Sequence, residues 1–313
     1  MLLFDSLLLS ITVFRLVKAT KLMVALHGGL FRMGIDDSHA ASGESPAYNS
    51  GVKPFAIDRT PVTNEQYIRF RAEKDRYRTD AEIHGWSNVF AGYLTAYDRQ
   101  HFVHHEPEAD EKWMLPITNA TYARPRGPRS TIAHLLDHPV VHVSWNDALA
   151  YCLWRGKRLP TEEEWEFAAR GGLKECEYPW GDSYEMGRCN LWQGNFPAND
   201  TGVDGYAGTS PVFAFATQND YGMFDVLGNV WEWTSTVWHV HHDPESRVTD
   251  HYVLKGGSHL DSRRGHVGAK ARVSTRIKRH ENYTAGNVGF RCAESTHKAR
   301  LDPTKRFLIH GEL

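Results

Sequence analysis

From Leu173 to Asp225, and again from Thr234 to His251, the chain shows neither helical nor strand periodicity. It carries Gly, Asn, Asp and Pro without a repeat. The same middle region is crowded with tryptophan: Trp145, Trp154, Trp165, Trp180, Trp192, Trp231, Trp233 and Trp238. Irregular backbone that stays ordered cannot rely on long hydrogen-bond ladders. It needs aromatic burial, disulfides or bound cations to hold it. With no internal repeat and no low-complexity tract, residues 22–295 read as one domain and residues 296–313 as a basic tail.

The regular elements are short. Thr63-x-x-Gln66 and Thr161-x-x-Glu164 are capping boxes, and Ser144-x-x-Asp147 is the acidic variant. After the first, Tyr67 and Phe70 share a face. After the second, Trp165, Ala168 and Ala169 recur at helical spacing until Gly171-Gly172, with Glu162, Glu163 and Glu164 favoured by the helix dipole. The third helix spans about Asp147 to Arg155 and presents Ala148, Tyr151 and Cys152. Strands are expected around Phe55–Ile57, Pro139–Val143, Val212–Ala216, Val253–Gly256, Ala271–Thr275 and Val288–Cys292.

Composition excludes several classes. Thirty-six Lys+Arg against 38 Asp+Glu leave a net charge of −2, so no electrostatic case exists for a nucleic-acid or membrane-surface partner. Hydrophobic residues at 41% and charged residues at 24% rule against collagen, coiled coil and disorder. Four cysteines in 313 residues leave disulfide, metal-site and nucleophile readings open.

The termini suggest a compartment. An apolar stretch from Ser6 to Phe14, with Val17 and Ala19 at the −3 and −1 positions, reads as a signal peptide over residues 1–19. It is favoured over a buried N-terminal strand, although Asp5 stands where a basic residue is usual. The chain ends His310-Gly311-Glu312-Leu313, one substitution from an endoplasmic-reticulum retrieval signal. Together they favour the lumen of the endoplasmic reticulum, which permits disulfides. Sequons at Asn119, Asn199 and Asn282 are weaker support for the same secretory route.

Six ordered blocks resemble the formylglycine-generating-enzyme (sulfatase-modifying factor) family. They are HPVVHVSWNDALAYCLWRGKRLPTEEEWEFAARGG from His138, YPWGD from Tyr178 and NLWQGNFP from Asn190, then DVLGNVWEW from Asp225, LKGGS from Leu254 and NVGFRCA from Asn287. The resemblance implies an α+β fold, a compact C-type-lectin-like variant with little regular structure. In active members two cysteines just after the GGS segment bind copper(I) and use oxygen to convert a sulfatase cysteine to formylglycine. Here Asp261 stands at the first of those positions, and the second falls within Gly265–Gly268, where there is no cysteine. A carboxylate is a hard oxygen ligand and does not replace a thiolate for copper(I). No copper and no catalytic residue are therefore expected, and the chain is similar to the inactive branch of the family.

The resemblance carries further expectations, residue by residue. Ser258, Trp231 and Asn287 would line a retained substrate groove for newly made sulfatases, or the chain would bind the active enzyme. A homodimer or heterodimer is allowed. Cys152 and Cys292 would be bridged, closing a loop worth roughly 4–5 kcal/mol. Cys176 and Cys189 flank the YPWGD loop and are not placed by the resemblance; a local second disulfide is favoured over two free thiols. Two structural calcium sites are implied. The first would use the Asn190 side chain, the Leu191 carbonyl, Asp204 and the Tyr206 carbonyl. The second would use Asp225, the Gly228 and Val230 carbonyls and Glu232. Calcium takes six to eight hard oxygens in flexible geometry, which suits such loops. His239, His241 and His242 lack further convergent ligands, so they read as a surface cluster, and His134, His138 and His142 read as hydrogen-bonded or solvated side chains. Alternatives to the non-enzymatic modulator are a lectin-like binding module and an oxidoreductase using other residues, such as Cys176 and Cys189.

Overall fold

The computed structural model describes residues 22–296 apart from residues 41, 110, 240–244, 246 and 266–269. The signal-peptide stretch, the terminal His-Gly-Glu-Leu, His241 and His242, and most of Gly265–Gly268 lie outside the described residues.

In chain order the elements are β1 (Met23–Leu26), β2 (Gly29–Met33), β3 (Tyr48–Val52), β4 (Phe55–Asp58), α1 (Asn64–Glu73), α2 (Asp80–His84), β5 (Trp86–Phe90), α3 (Ala96–Phe102) and β6 (Met114–Thr118). There follow α4 (Trp145–Trp154), α5 (Glu162–Arg170), β7 (Gly194–Asn195), β8 (Asn199–Asp200), β9 (Trp231–Val237), β10 (His251–Lys255), β11 (Arg276–His280), β12 (Val288–Phe290) and β13 (Ala293–Ser295). The largest sheet has the order β11-β10-β9-β12, with β12 parallel to β9 and the other pairs antiparallel. A second sheet, β1-β4-β13, brings the two ends of the domain together. The architecture is α+β, with short helices against several small sheets.

The three expected helices form, and each carries its reciprocal cap: Thr63 with Gln66, Ser144 with Asp147 and Thr161 with Glu164. α4 begins two residues before Asp147. α5 stops at Gly171, whose left-handed φ of 58° suits a residue without Cβ. Tyr67 and Phe70 from α1 pack with Tyr151 from α4 and Phe290 from β12, all in edge or stacked ring contact.

α5 holds a feature that its sequence pattern concealed. Trp165, Ala168 and Ala169 are buried as expected, but so are Glu162, Glu166 and Arg170. Glu166 accepts from Lys255 of β10 at 2.8 Å and from Arg170 at 2.7 Å, and Glu162 pairs with Arg276 of β11 at 2.9 Å. The lysine and Arg170 beside Glu166 hold its carboxyl down at about 2, against a strong burial penalty. Glu162 is therefore an internal ion-pair partner and not merely a dipole charge in solvent.

Three expected strands do not form. Pro139–Val143 crosses the core in extended segments, but its partners are single bonds, Val140 N–H to the Val62 carbonyl and His142 N–H to the Ala285 carbonyl. His142 breaks any ladder with φ 59°. Val212–Ala216 is a turn, closed by Ala214 N–H on the Pro211 carbonyl, and Ala271–Thr275 is a turn ahead of β11. Conversely, Thr234–Val237, expected to be irregular, belongs to β9. The irregular span 173–225 contains only the two-residue strands β7 and β8.

Indole N–H groups pin the irregular backbone. Trp145 donates to the Thr234 carbonyl at 2.8 Å, Trp233 to the Val143 carbonyl at 3.0 Å, and Trp180 to the Ser183 carbonyl at 2.9 Å. The Cys152–Cys292 disulfide ties α4 to the chain after β12 across 140 residues, as expected. The second disulfide is absent: Cys176 and Cys189 are both free and buried. Each has its own setting. Arg170 hydrogen-bonds beside Cys176, whereas Cys189 packs with Tyr178, Leu191 and Leu227 and hydrogen-bonds with Tyr184. Burial pushes both thiols up, Cys189 to about 12. Among the described residues no helix is long and apolar enough to cross a membrane.

Candidate functional site

β10 runs into Gly256 and Gly257, both at positive φ, 96° and 72°. A Cβ on Gly256 would stand 3.0 Å from the Trp165 ring, so the backbone passes closely over that indole. The Gly-Gly pair releases the chain into the turn Ser258–Asp261, closed by Asp261 N–H on the Ser258 carbonyl at 2.9 Å. β9 and β12 bring the other participants. Trp231 opens β9, and its N–H donates to the carbonyl of Asn287, just ahead of β12, at 2.9 Å.

These elements gather the expected groove residues into one cluster around Asp261. Its carboxylate accepts from the Ser258 N–H at 2.9 Å and the Ser258 hydroxyl at 2.6 Å, and the Trp231 side chain also hydrogen-bonds to it. Asn287 Nδ2 donates to Ser258 Oγ at 3.2 Å. All four residues are buried. Burial dominates the electrostatics and pushes the Asp261 carboxyl up to about 6, while the Ser258 and Trp231 hydrogen bonds oppose it. Trp192 had no site role in the sequence reading, yet its N–H holds the Asp261 carbonyl at 2.9 Å. It lies in the NLWQGNFP block, where the sequence pointed only to Asn190 and Leu191, as calcium ligands.

The chemistry of this cluster is oxygen and nitrogen throughout. Both bonded cysteines lie at the α4–β12 junction, and the free pair is held in separate packing near Arg170 and Tyr184. Residues on either side of Asp261 border two cavities. His259, Leu260 and Gly286 face one of about 230 Å³ with Tyr93 and Arg126. Ser262, Arg263 and Arg264 face one of about 450 Å³ with Trp192 and Tyr184.

The expected calcium ligands divide. Asn190, Leu191, Asp204 and Tyr206 are brought together: Asp204 Oδ1 accepts from Tyr206 N–H at 3.1 Å and the Leu191 backbone bonds the same carboxylate. Burial and the nearby Asp200 carboxylate push Asp204 up, the pattern of a carboxylate short of positive charge. Asn190 donates its Nδ2 to the Gly208 carbonyl at 2.8 Å, so its amide oxygen is the atom left to ligate. These donors fit a calcium ion. The second set does not. Glu232 Oε2 accepts from Arg291 Nε at 2.6 Å and Trp165 Nε1 at 2.7 Å, and Oε1 accepts from Arg291 Nη2 at 2.6 Å. A guanidinium already neutralises the carboxylate that would face the cation. Asp225 is held by Asn229 Nδ2 at 2.8 Å, and burial pushes it up to about 7. Gly228, at φ 86°, lies where a Cβ would meet the Asn190 carbonyl at 2.4 Å, and its own carbonyl accepts from Val230 N–H at 2.9 Å. Among the described residues no three His, Cys, Asp or Glu side chains converge as a metal-ligand group.

The remaining residues take their places simply. Asn119, Asn199 and Asn282 do not share one setting with the cluster: Asn199 lies in β8 and Asn282 in the turn after β11, while Asn119 follows β6 at a positive φ of 56°. His142 is buried, hydrogen-bonded to Ser87 at 2.7 Å and the Pro125 carbonyl at 2.8 Å, and burial pushes it down to about 4. His138 hydrogen-bonds Thr209 at 2.9 Å, and His239 the Val237 carbonyl at 3.2 Å.

The chain matches the family described as Sulfatase-modifying factor enzyme 1-like domain over residues 13–296. It is 49% identical to the cattle (Bos taurus) protein named Inactive C-alpha-formylglycine-generating enzyme 2, covering 87% of each chain. It is 45% identical to the Formylglycine-generating enzyme of Thermomonospora curvata, covering 87% of this chain and 92% of that one. Among solved structures, PvdO from Pseudomonas aeruginosa superposes with a TM-score of 0.59 at 22% identity, covering 87% of this chain and 94% of that one. That likeness bears on the fold, which is of the C-type-lectin-like kind expected.

Proposed function

Since the chain belongs to the Sulfatase-modifying factor enzyme 1-like family, we propose that it is a non-catalytic member that binds newly made sulfatases, or the active enzyme, and modulates sulfatase maturation. One observation carries the reading. Asp261, which the resemblance sets at the position of the first catalytic cysteine, is buried and tied to Ser258 and Trp231 by hydrogen bonds that keep the turn closed. A carboxylate so placed supplies neither a soft ligand for copper(I) nor a sulfur for redox exchange. The surrounding Ser258, Trp231 and Asn287 stay assembled beneath two cavities bordered by the residues flanking Asp261, which supports retention of a place for a partner. The 49% identity to an inactive relative supports the same reading.

The proposal places the protein in the lumen of the endoplasmic reticulum, addressed by residues 1–19 and the terminal His310–Leu313. It assigns one structural calcium ion to the Asn190, Leu191, Asp204 and Tyr206 set. That ion would neutralise the Asp204 carboxylate and fasten the loop between β8 and Gly208. Arg291 takes the corresponding role at Glu232.

The test uses the purified full chain and a labelled Cys-x-Pro-x-Arg sulfatase peptide. Fluorescence anisotropy should show saturable binding. Mass spectrometry after incubation with copper, a reductant and air should show no loss of the cysteine. Formylglycine product, or no binding to either the peptide or the active enzyme, would sink the proposal.

A further inference from the structure

The cavity beside Arg263 has a chemistry of its own. It holds about 450 Å³ and is bordered by Tyr184, Met186, Trp192, Gln193, Arg263 and Arg264 among others. That volume lies in the range of small-molecule sites. Among the described residues no carboxylate lines it. Both arginines are exposed at its rim. Among the described residues neither is ion-paired. Arg263 instead lies over the Tyr184 ring, 5.1 Å from its centroid.

Two residues of its wall carry buried donors. Trp192 is 6% exposed, and among the described residues neither its indole Nε1–H nor Gln193 Nε2 has an acceptor; both atoms are buried in the wall and do not open onto the cavity. Buried N–H groups without acceptors are uncommon, because each carries an uncompensated desolvation cost. Gln193 cannot flip its amide to escape, because its Oε1 already accepts from Asp204 N–H at 3.2 Å. The carboxylates near Gln193 do not line the cavity and are occupied by backbone donors: Asp200 by Gln193 N–H and Gly202 N–H, Asp204 by Tyr206 N–H. The apolar part is equally uncommitted. Met186 at 72% and Val203 at 64% exposure stand at the edge of the cavity, with Leu191 and the Trp192 ring deeper.

We propose that this cavity binds a small organic anion, an oxyanion such as a sulfonate, sulfate ester or carboxylate carried on an apolar or aromatic body. Arg263 and Arg264 supply charge and N–H donors at the mouth, and Met186, Val203 and the indole cover the apolar part. Fork-shaped guanidinium groups match planar or tetrahedral oxyanions, and each hydrogen bond to a charged group strengthens in a partly desolvated site. The proposal is independent of sulfatase recognition, since it specifies a ligand charge opposite to that of the arginine in the Cys-x-Pro-x-Arg peptide.

Isothermal titration of the full chain with naphthalene-2-sulfonate, 2-naphthylmethanol and 2-naphthylmethylammonium tests it. The sulfonate should bind at least about tenfold more tightly than the alcohol, and the ammonium weakest. The double variant R263A/R264A, changed only at exposed side chains, should lose about tenfold or more for the sulfonate and little for the alcohol. Raising salt should weaken the sulfonate selectively. Equal binding of the three probes, no binding of the sulfonate, or sulfonate affinity unchanged in R263A/R264A would overturn the proposal. Binding of the sulfatase peptide, measured separately on the same variant, keeps the two ideas distinguishable.

Discussion

Replacing Asp261 by asparagine isolates the cost of charging a carboxyl inside this cluster. Burial raises the group from an ordinary 3.8 to about 6 in the folded protein. A raised carboxyl favours the protonated form on folding. Its contribution to stability is fully present below pH 3.8 and is lost as the pH rises through 6. Integrated over those two values, the loss between pH 4.5 and 7.5 is about 2 kcal/mol, of a total of about 3 kcal/mol. An asparagine side chain does not titrate, so the variant escapes that loss. The substitution also turns an amide NH₂ toward one of the donors that Asp261 accepts, Ser258 or Trp231, at a cost that does not depend on pH. The informative quantity is therefore the change in the mutant–wild-type difference with pH, and not its value at one pH. For a domain of this size, with an unfolding entropy of ~0.6 kcal/mol/K, 2 kcal/mol corresponds to about 3 °C. Thermal unfolding followed by circular dichroism at pH 4.5, 5.5, 6.5 and 7.5 should show the melting temperature of D261N gaining that much on the wild type as the pH rises. A difference constant with pH, or one moving the other way, would refute the electrostatic argument and leave Asp261 an ordinary ionised turn cap.

Other expectations follow from the same packing. Cys152→Ala opens a bridge spanning 140 residues and should cost about 5 kcal/mol, read from the shift in denaturant midpoint; a loss under about 1 kcal/mol would show that the unfolded chain is not the main seat of the effect. Without reductant, Ellman's reagent should find two thiols in guanidinium and almost none in the native protein at pH 8, because Cys176 and Cys189 are buried with raised pKa. Finding none in guanidinium would restore the second disulfide. Glu232→Gln leaves the fully buried Arg291 without its charge partner and should destabilise by about 3–5 kcal/mol in urea unfolding. Millimolar calcium should raise the melting temperature of the wild type, and Asp204→Asn should abolish that response. An identical response in Asp204→Asn would remove calcium from the first site.

Local signals were legible where they were complete within a few residues. The capping boxes at Thr63, Ser144 and Thr161 state helix starts because both partners sit within one turn. Thr79 with Glu82 and Thr95 with Asp98 are further boxes of the same kind, readable in retrospect, heading helices of five and seven residues with little periodicity behind them. The missed and misplaced strands have a common cause. Pro139–Val143 is apolar because it crosses the core, and Ala271–Thr275 is buried as a turn despite Arg272, Ser274 and Thr275; the pattern of such short spans does not distinguish a buried irregular segment from a strand. The buried Glu162, Glu166 and Arg170 look like an ordinary charged helix face, because their partners Lys255 and Arg276 lie about ninety and more residues away.

The chain by itself determined that its centre would be irregular and aromatic, where its helices begin, and, through six ordered blocks, its family. Those are statements about short spans or about resemblance. Only the tertiary structure decided that Asp261 is closed upon Ser258, Trp231 and Asn287. It also decided that Arg291 occupies Glu232, and that Cys176 and Cys189 stay apart. Each of these depends on which distant groups share a desolvated space. Coulomb forces and hydrogen bonds in such a space act over a few ångströms regardless of separation along the chain.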